Sequence, residues 1–156
     1  MSLSITKHSE TFSTSTQITA DEVTEIATLG FKTIINNRPD GEGGPSQPSS
    51  KEIQQTAEKL GISYLYLPVI PNNISDSEIA QCSTFLVNAP TPILGFCRTG
   101  NRARAVYEKA SNISSNTAKS SPRDIKQAIC NFFENKCLVT KLVRKFSNKS
   151  IEQASK

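Results

Sequence analysis

Cys97 and Arg102, with Arg98, Thr99, Gly100 and Asn101 between them, have the residue types and spacing for covalent chemistry on an anion. A cysteine reacts as the thiolate, and its pKa falls at helix N-termini beside cationic groups. The order along the chain supplies that setting. The apolar run Pro92 to Phe96 is short enough for a buried strand, and Arg102 to Ala110 suits a helix. A loop between strand and helix that curls its backbone N–H groups inward gathers partial positive charge and binds oxyanions. Gly100 can take the positive φ such a loop needs, and Arg102 presents forked donors to two oxygens. Arg98 adds charge beside the nucleophile. The competing reading, a core thiol at a strand end with surface arginines, leaves this order unexplained.

A chain of 156 residues with 36% hydrophobic content is long enough for one core and short for two, so residues 1–156 read as a single domain. The net charge of +4 favours an anionic substrate, but no basic stripe interleaved with aromatics marks a nucleic-acid binder. No apolar run approaches a membrane span and the first residues carry no signal-peptide core, which reads as a soluble, cytoplasmic protein without a membrane partner. Cys82, Cys97, Cys130 and Cys137 lack the close pairing of a metal site, and His8 is the only histidine. No metal and no cofactor is expected. The cysteines read as free thiols in a reducing compartment, with Cys82, Cys130 and Cys137 in the core or on helices. Oligomeric state is left open.

The elements that must position the loop follow from local signals. Residues 1–18 are rich in Ser and Thr and read as edge strands or a loose hairpin. Thr19 to Glu22, Ser49 to Glu52 and Ser75 to Glu78 each begin a helix, with Gly30 and Gly61 closing the first two. Strands follow at Phe31 to Asn36, Ile62 to Val69 and Pro92 to Phe96. Three helix-then-strand units imply an α/β fold in three layers, a largely parallel sheet flanked by helices. Arg38 and Asp40 lie in the loop after the strand ending at Asn36, where open α/β sheets place ligands. They read equally as site residues or as an internal ion pair. Ser111 to Ser121 reads as a linker, residues 122–148 as C-terminal helices, and Lys141, Arg144, Lys145 and Lys149 as a basic face.

The segments Lys32 to Asp40, Tyr66 to Val69 and Cys97 to Arg102 together resemble a bacterial family, the phosphatase-like domain of the β-lactamase-hydrolase-like proteins. That family is related in fold to dual-specificity protein tyrosine phosphatases. The resemblance covers roughly Ile18 to Ala110. It implies a nucleophilic Cys97 that takes the phosphoryl group, and an Arg102 that holds phosphate oxygens.

Three departures accompany it. Four residues separate Cys97 from Arg102 where the wider tyrosine phosphatase signature has five, and the shorter loop is similar to that of rhodanese-like sulfurtransferases, whose cysteine carries a persulfide. Phe96 stands where a histidine commonly precedes the nucleophile, and Ala103 where a hydroxyl residue commonly follows the arginine. The loop on which related phosphatases place an acidic aspartate reads Pro71-Asn72-Asn73-Ile74. Asp40 and Asp76 are the carboxylates left to donate a proton, with Asn73 beside the leaving oxygen. The expected activity is hydrolysis of phosphate monoesters, phosphotyrosine included, through a phosphocysteine. Sulfur transfer on Cys97 and non-catalytic phosphate binding are the alternatives.

Overall fold

The structure, a computed structural model, describes residues 3–118, with side chains as far as 113 in the last helix. The expected helices over 122–148, together with Cys130, Cys137 and the basic face, lie outside the described residues. The elements run β1 (Ile5–Lys7), β2 (Phe12–Ser15), α1 (Glu22–Thr28), β3 (Thr33–Asn36), α2 (Ser50–Lys59), β4 (Ser63–Tyr66), α3 (Asp76–Leu86), β5 (Ile93–Phe96) and α4 (Asn101–Ala118).

Each of the first three helices starts on reciprocal Ser/Thr and Glu bonds that satisfy otherwise orphaned backbone donors. Ser49 and Glu52 form a full capping box on α2, as do Ser75 and Glu78 on α3. Before α1, Glu22 Oε2 accepts from the Thr19 N–H at 2.8 Å while Thr19 Oγ1 accepts from the Glu22 N–H at 3.3 Å. Gly61, at φ +71°, turns the chain from α2 toward β4.

The sheet order is β1-β2-β5-β3-β4, parallel throughout except for the antiparallel β1 edge. Successive residues on a strand face opposite sides, and the core divides accordingly. Ile34 and Leu94 join Val23, Ile26, Ile53 and Ala57 of α1 and α2 on one face. Their neighbours Ile35 and Ile93 join Ile79 and Cys82 of α3 and Val106 and Ala110 of α4 on the other. Strands β3 and β5, covered on both faces, are buried at every position. That makes the α/β, three-layer, largely parallel arrangement.

Two local readings need correction. The N-terminal hairpin is loose only at β1, because β2 pairs in parallel with β5 and is buried along its whole length, its Ser and Thr side chains included. The stretch from Ser111, read as linker, continues α4 to Ala118. Serine and asparagine cost a helix only a few tenths of a kcal/mol each, too little to end one already under way.

The topology sets the site. From β3 the chain crosses through α2 to β4 on one side, while β5 inserts on the other side of β3. The two loops that leave the C-terminal ends of β3 and β5 therefore diverge around a switch point, the position at which such sheets open a crevice. Close approach of α4 to β5 depends on Gly95. A Cβ there would lie 3.1 Å from both Ala103 Cβ and Phe12 Cε2, and the Phe12 ring stacks on Tyr107 of α4 at a centroid distance of 3.6 Å. Gly95→Ala is expected to overpack this contact and lower stability by about 1–3 kcal/mol, read as a reduced urea midpoint at unchanged m-value. A midpoint equal to wild type would show that α4 is not held against β5 by this contact.

Candidate functional site

Cys97 directly follows β5 and is fully buried. The loop after it turns back at Gly100, whose φ of +89° is in the region that favours glycine, and α4 begins at Asn101. This geometry aims the Gly100 N–H at Cys97 Sγ at 3.2 Å. Burial pushes the thiol pKa up, but hydrogen bonds from the backbone N–H groups of Ala103, Thr99, Arg102 and Gly100 outweigh it and hold Cys97 below the ordinary thiol value. Cys82 shows what burial does alone, since its thiol is pushed up to about 11.

Arg102 folds back rather than reaching into solvent. Its Nη1 donates to the Val69 carbonyl at 2.7 Å and its Nη2 to Glu42 Oε2 at 2.8 Å. Desolvation works against its charge, but the Glu42 hydrogen bond and the nearby Cys97 sulfur raise its pKa overall. The same Glu42 oxygen accepts from Arg38 Nε at 2.9 Å. A single carboxylate oxygen thus bridges two guanidinium groups whose side chains are 10% and 11% exposed. Hydrogen bonding from Arg102, with Arg38 adding to it against the cost of burial, holds the Glu42 carboxyl below its usual value and keeps it ionised.

Glu42 is the site residue that the sequence reading missed. Its i,i+4 spacing from Arg38 was visible, but loop residues carry no helical register to make that spacing meaningful. Gly43 next to it leaves room for Arg38, since a Cβ at that position would lie 2.5 Å from Nη2. Arg38 Nη1 donates to Gln17 Oε1 at 2.9 Å. Arg38 also lines a cavity of about 700 Å³ with Gln17, Thr19, Asp21, Ser46 and Gln47.

The other expected residues separate into two groups. Arg98, Thr99 and Asn101 lie on the exposed side of the loop, next to Cys97 in the chain. Arg38 is buried against Glu42, so the loop ion pair forms with Glu42 and not with Asp40. Asp40 instead accepts from the Ser50 N–H at 2.8 Å and the Ser50 hydroxyl at 2.6 Å, at the start of α2. Asp76 is exposed in the first turn of α3. Asn73 is exposed, its N–H donating to the Ile70 carbonyl at 3.2 Å in a turn where Asn72 has φ +61°. The structure therefore brings Gly100 and Arg102 to Cys97, joins Arg102 and Arg38 through Glu42, and ties Asp40 to Ser50. Among the described residues no cluster of three His, Cys, Asp or Glu side chains could hold a metal ion. No described helix is long and apolar enough to cross a membrane.

The sequence profile described as "Beta-lactamase hydrolase-like protein, phosphatase-like domain" matches residues 5–113. The chain is 34% identical over 98 residues to a Beta-lactamase hydrolase-like protein of Xylella fastidiosa, an alignment covering 63% of this chain and 22% of that protein. A protein of the same name in Agrobacterium fabrum is 34% identical over 82 residues, covering 53% of this chain and 19% of its own length. The chain thus spans about a fifth of the length of these curated relatives. Among solved structures, a candidate phosphatase from Neisseria meningitidis is 35% identical with a TM-score of 0.57, covering 64% of this chain and 70% of that one. A candidate phosphatase from Shewanella putrefaciens, at 18% identity and a TM-score of 0.56 over 67% of this chain and 64% of that one, shares the fold.

The depressed thiol pKa has a direct consequence. In the difference between wild-type and Cys97→Ser thiolate absorbance across pH, the midpoint should fall below the ~8.5 of an ordinary thiol, and the thiolate should be lost only as pH drops through that lower value. A midpoint at or above the ordinary value would mean that burial, not the N–H groups, dominates at Cys97.

Proposed function

The chain belongs to the phosphatase-like domain family of the beta-lactamase hydrolase-like proteins, and from that premise we propose that it is a cysteine-dependent phosphatase acting on phosphate monoesters, phosphotyrosine among them. The observation that carries this reading is the convergence of four backbone N–H groups and Arg102 on the Cys97 sulfur. A transferred phosphoryl group spreads charge over three equatorial oxygens, and a cradle of fixed donors stabilises that charge without reorganising. Cys97 attacks phosphorus, an S–P bond forms, and the ester P–O bond breaks to release the alkoxide or phenoxide. Water then cleaves the S–P bond, giving inorganic phosphate and restoring the thiolate.

A phosphate dianion in this loop competes with Glu42 for Arg102. The N–H groups of Arg98, Thr99, Gly100 and Asn101 complete the cradle in this reading, and the cavity beside Arg38 takes the remainder of the substrate. The leaving oxygen needs a proton, for which Asp40 and Asp76 are the candidate donors and Asn73 a candidate neighbour. Asp40 would first have to give up its bonds to Ser50, so substrates with good leaving groups fit the site best.

That same observation favours a second reading. Among the described residues no carboxyl is bonded to the Cys97 loop in a form ready to donate a proton, and sulfur transfer needs none. Attack of Cys97 on the outer sulfur of thiosulfate would break its S–S bond, release sulfite as an anion and leave a persulfide for an acceptor thiol.

Intact-mass analysis of Cys97 separates the readings. An aryl phosphate should leave a phosphoryl adduct and thiosulfate no persulfide; a persulfide forming readily without phosphate release from any aryl ester would reverse the assignment, and no adduct from either donor would favour phosphate binding alone. Cys97→Ser should reduce turnover to background. Arg102→Lys should weaken inhibition by phosphate roughly 10- to 100-fold, the cost of a charge-assisted bidentate contact. Asp40→Asn and Asp76→Asn, assayed over a series of leaving groups, should cost ~10²–10⁴-fold on poor ones only at the position that donates the proton.

A further inference from the structure

The glycine of the anion loop rests on the N-terminal hairpin. A Cβ on Gly100 would lie 3.2 Å from Thr14 Oγ1, 3.3 Å from the Ser15 carbonyl oxygen and 3.5 Å from Thr14 Cβ. The end of β2 is therefore pressed against the Cα of the residue whose N–H points at the Cys97 sulfur. Thr14 is 4% exposed and pairs in register with Gly95, which puts its side chain on the α4 face of the sheet, beneath the loop. Its hydroxyl does not point there by chance of packing alone. Thr14 Oγ1 shares a 2.8 Å hydrogen bond with Nε2 of His8, and the His8 ring lies 5.7 Å from that of Phe12 on the same strand. His8 itself is exposed, in the turn between β1 and β2.

We propose that Thr14 and His8 are positioning residues for the nucleophile. A threonine has three staggered side-chain positions, and the bond to His8 selects the one that sets the small hydroxyl, not the methyl, against Gly100. With Gly100 seated in that slot at its positive φ, its N–H keeps its aim on Sγ at 3.2 Å. Without the bond the larger methyl can rotate toward Gly100 and displace it. The inference applies whether Cys97 accepts a phosphoryl group or a sulfur atom, and it is read at the thiol itself. Its failure is therefore distinct from failure of the phosphatase reading.

The test is the pH midpoint of Cys97 thiolate absorbance in full-length Thr14→Val, Thr14→Ser and His8→Ala, each corrected with the matching Cys97→Ser protein. Valine keeps the shape of threonine but replaces the hydroxyl with a methyl; serine keeps the hydroxyl. Degrading one of the four N–H contacts should raise the midpoint by about one unit, roughly tenfold less thiolate near neutral pH, in Thr14→Val and His8→Ala. Thr14→Ser should keep the wild-type midpoint. Thermal unfolding of each variant separates this from a folding defect, and exposed His8 supplies the decisive variant should buried valine destabilise the strand. A wild-type midpoint in folded His8→Ala, or an equal rise in Thr14→Ser and Thr14→Val, would overturn the proposal.

Discussion

A buried sulfur that is held as thiolate is the constraint on which the rest of this structure depends. Taking the charged form out of water is costly, and Cys82 shows the direction in which burial alone moves a thiol in this fold. At Cys97 four main-chain N–H groups reverse that direction. Main-chain donors are fixed by backbone conformation, so the chemistry depends on dihedral angles and close approaches as much as on side chains. Gly100 supplies the turn, and Gly95 lets α4 approach β5 so that the Arg102 and Ala103 N–H groups arrive from the start of the helix. Strand β2 closes the loop from the other side. None of these contributions involves a reactive group.

The second requirement is charge balance. Arg38 and Arg102 are nearly buried, and one carboxylate oxygen serves both. A pair of guanidinium groups sharing one carboxylate leaves an excess of positive charge next to the thiolate, which is where an entering anion is stabilised. Removing Glu42 would leave two nearly buried cations without their shared counter-charge, a change more costly than the loss of one surface ion pair. The segment from Asn36 to Ser50 is accordingly a fixed wall despite its loop composition. Arg38 packs on Gly43, Gln47 accepts from the Gly43 N–H and donates to the Pro39 carbonyl, and Asp40 bonds Ser50. Proline and glycine shape its turns while side-chain bonds hold it in place.

What the sequence revealed and what it hid divide along sequence separation. Capping boxes at Ser49 and Ser75, the buried strand before Cys97 and the loop-to-helix order are local, and the residues that define them are within a few positions of one another. The largely parallel sheet follows from those elements taken in order. Glu42 was invisible because its decisive partner, Arg102, is 60 residues away. Burial of β2 was hidden for a similar reason: its polar side chains suggest an edge, and only pairing with β5 encloses them. Asp40 read equally as a site residue or as the ion-pair partner of Arg38 because its bond to Ser50 reaches into the next helix. His8 carries no motif that names a partner, and only the turn between β1 and β2 brings it to Thr14, six residues on.

Proton supply also constrains which chemistry suits this loop. Glu42, the carboxylate nearest to Arg102, is held in its ionised form by the arginines that make the site anion-binding, so the feature that attracts a dianion also disqualifies this group as a proton donor. Asp40 has both oxygens engaged by Ser50, and Asp76 is at a helix start facing solvent. The environment is therefore built to stabilise negative charge on the entering group and on the sulfur, with little to stabilise a proton in transit. Groups that leave as stable anions are matched to such a site, and groups that leave as strong bases are not. Strength of anion binding and breadth of leaving group are in this way opposed, because both are set by the electrostatics around one carboxylate and two guanidinium groups.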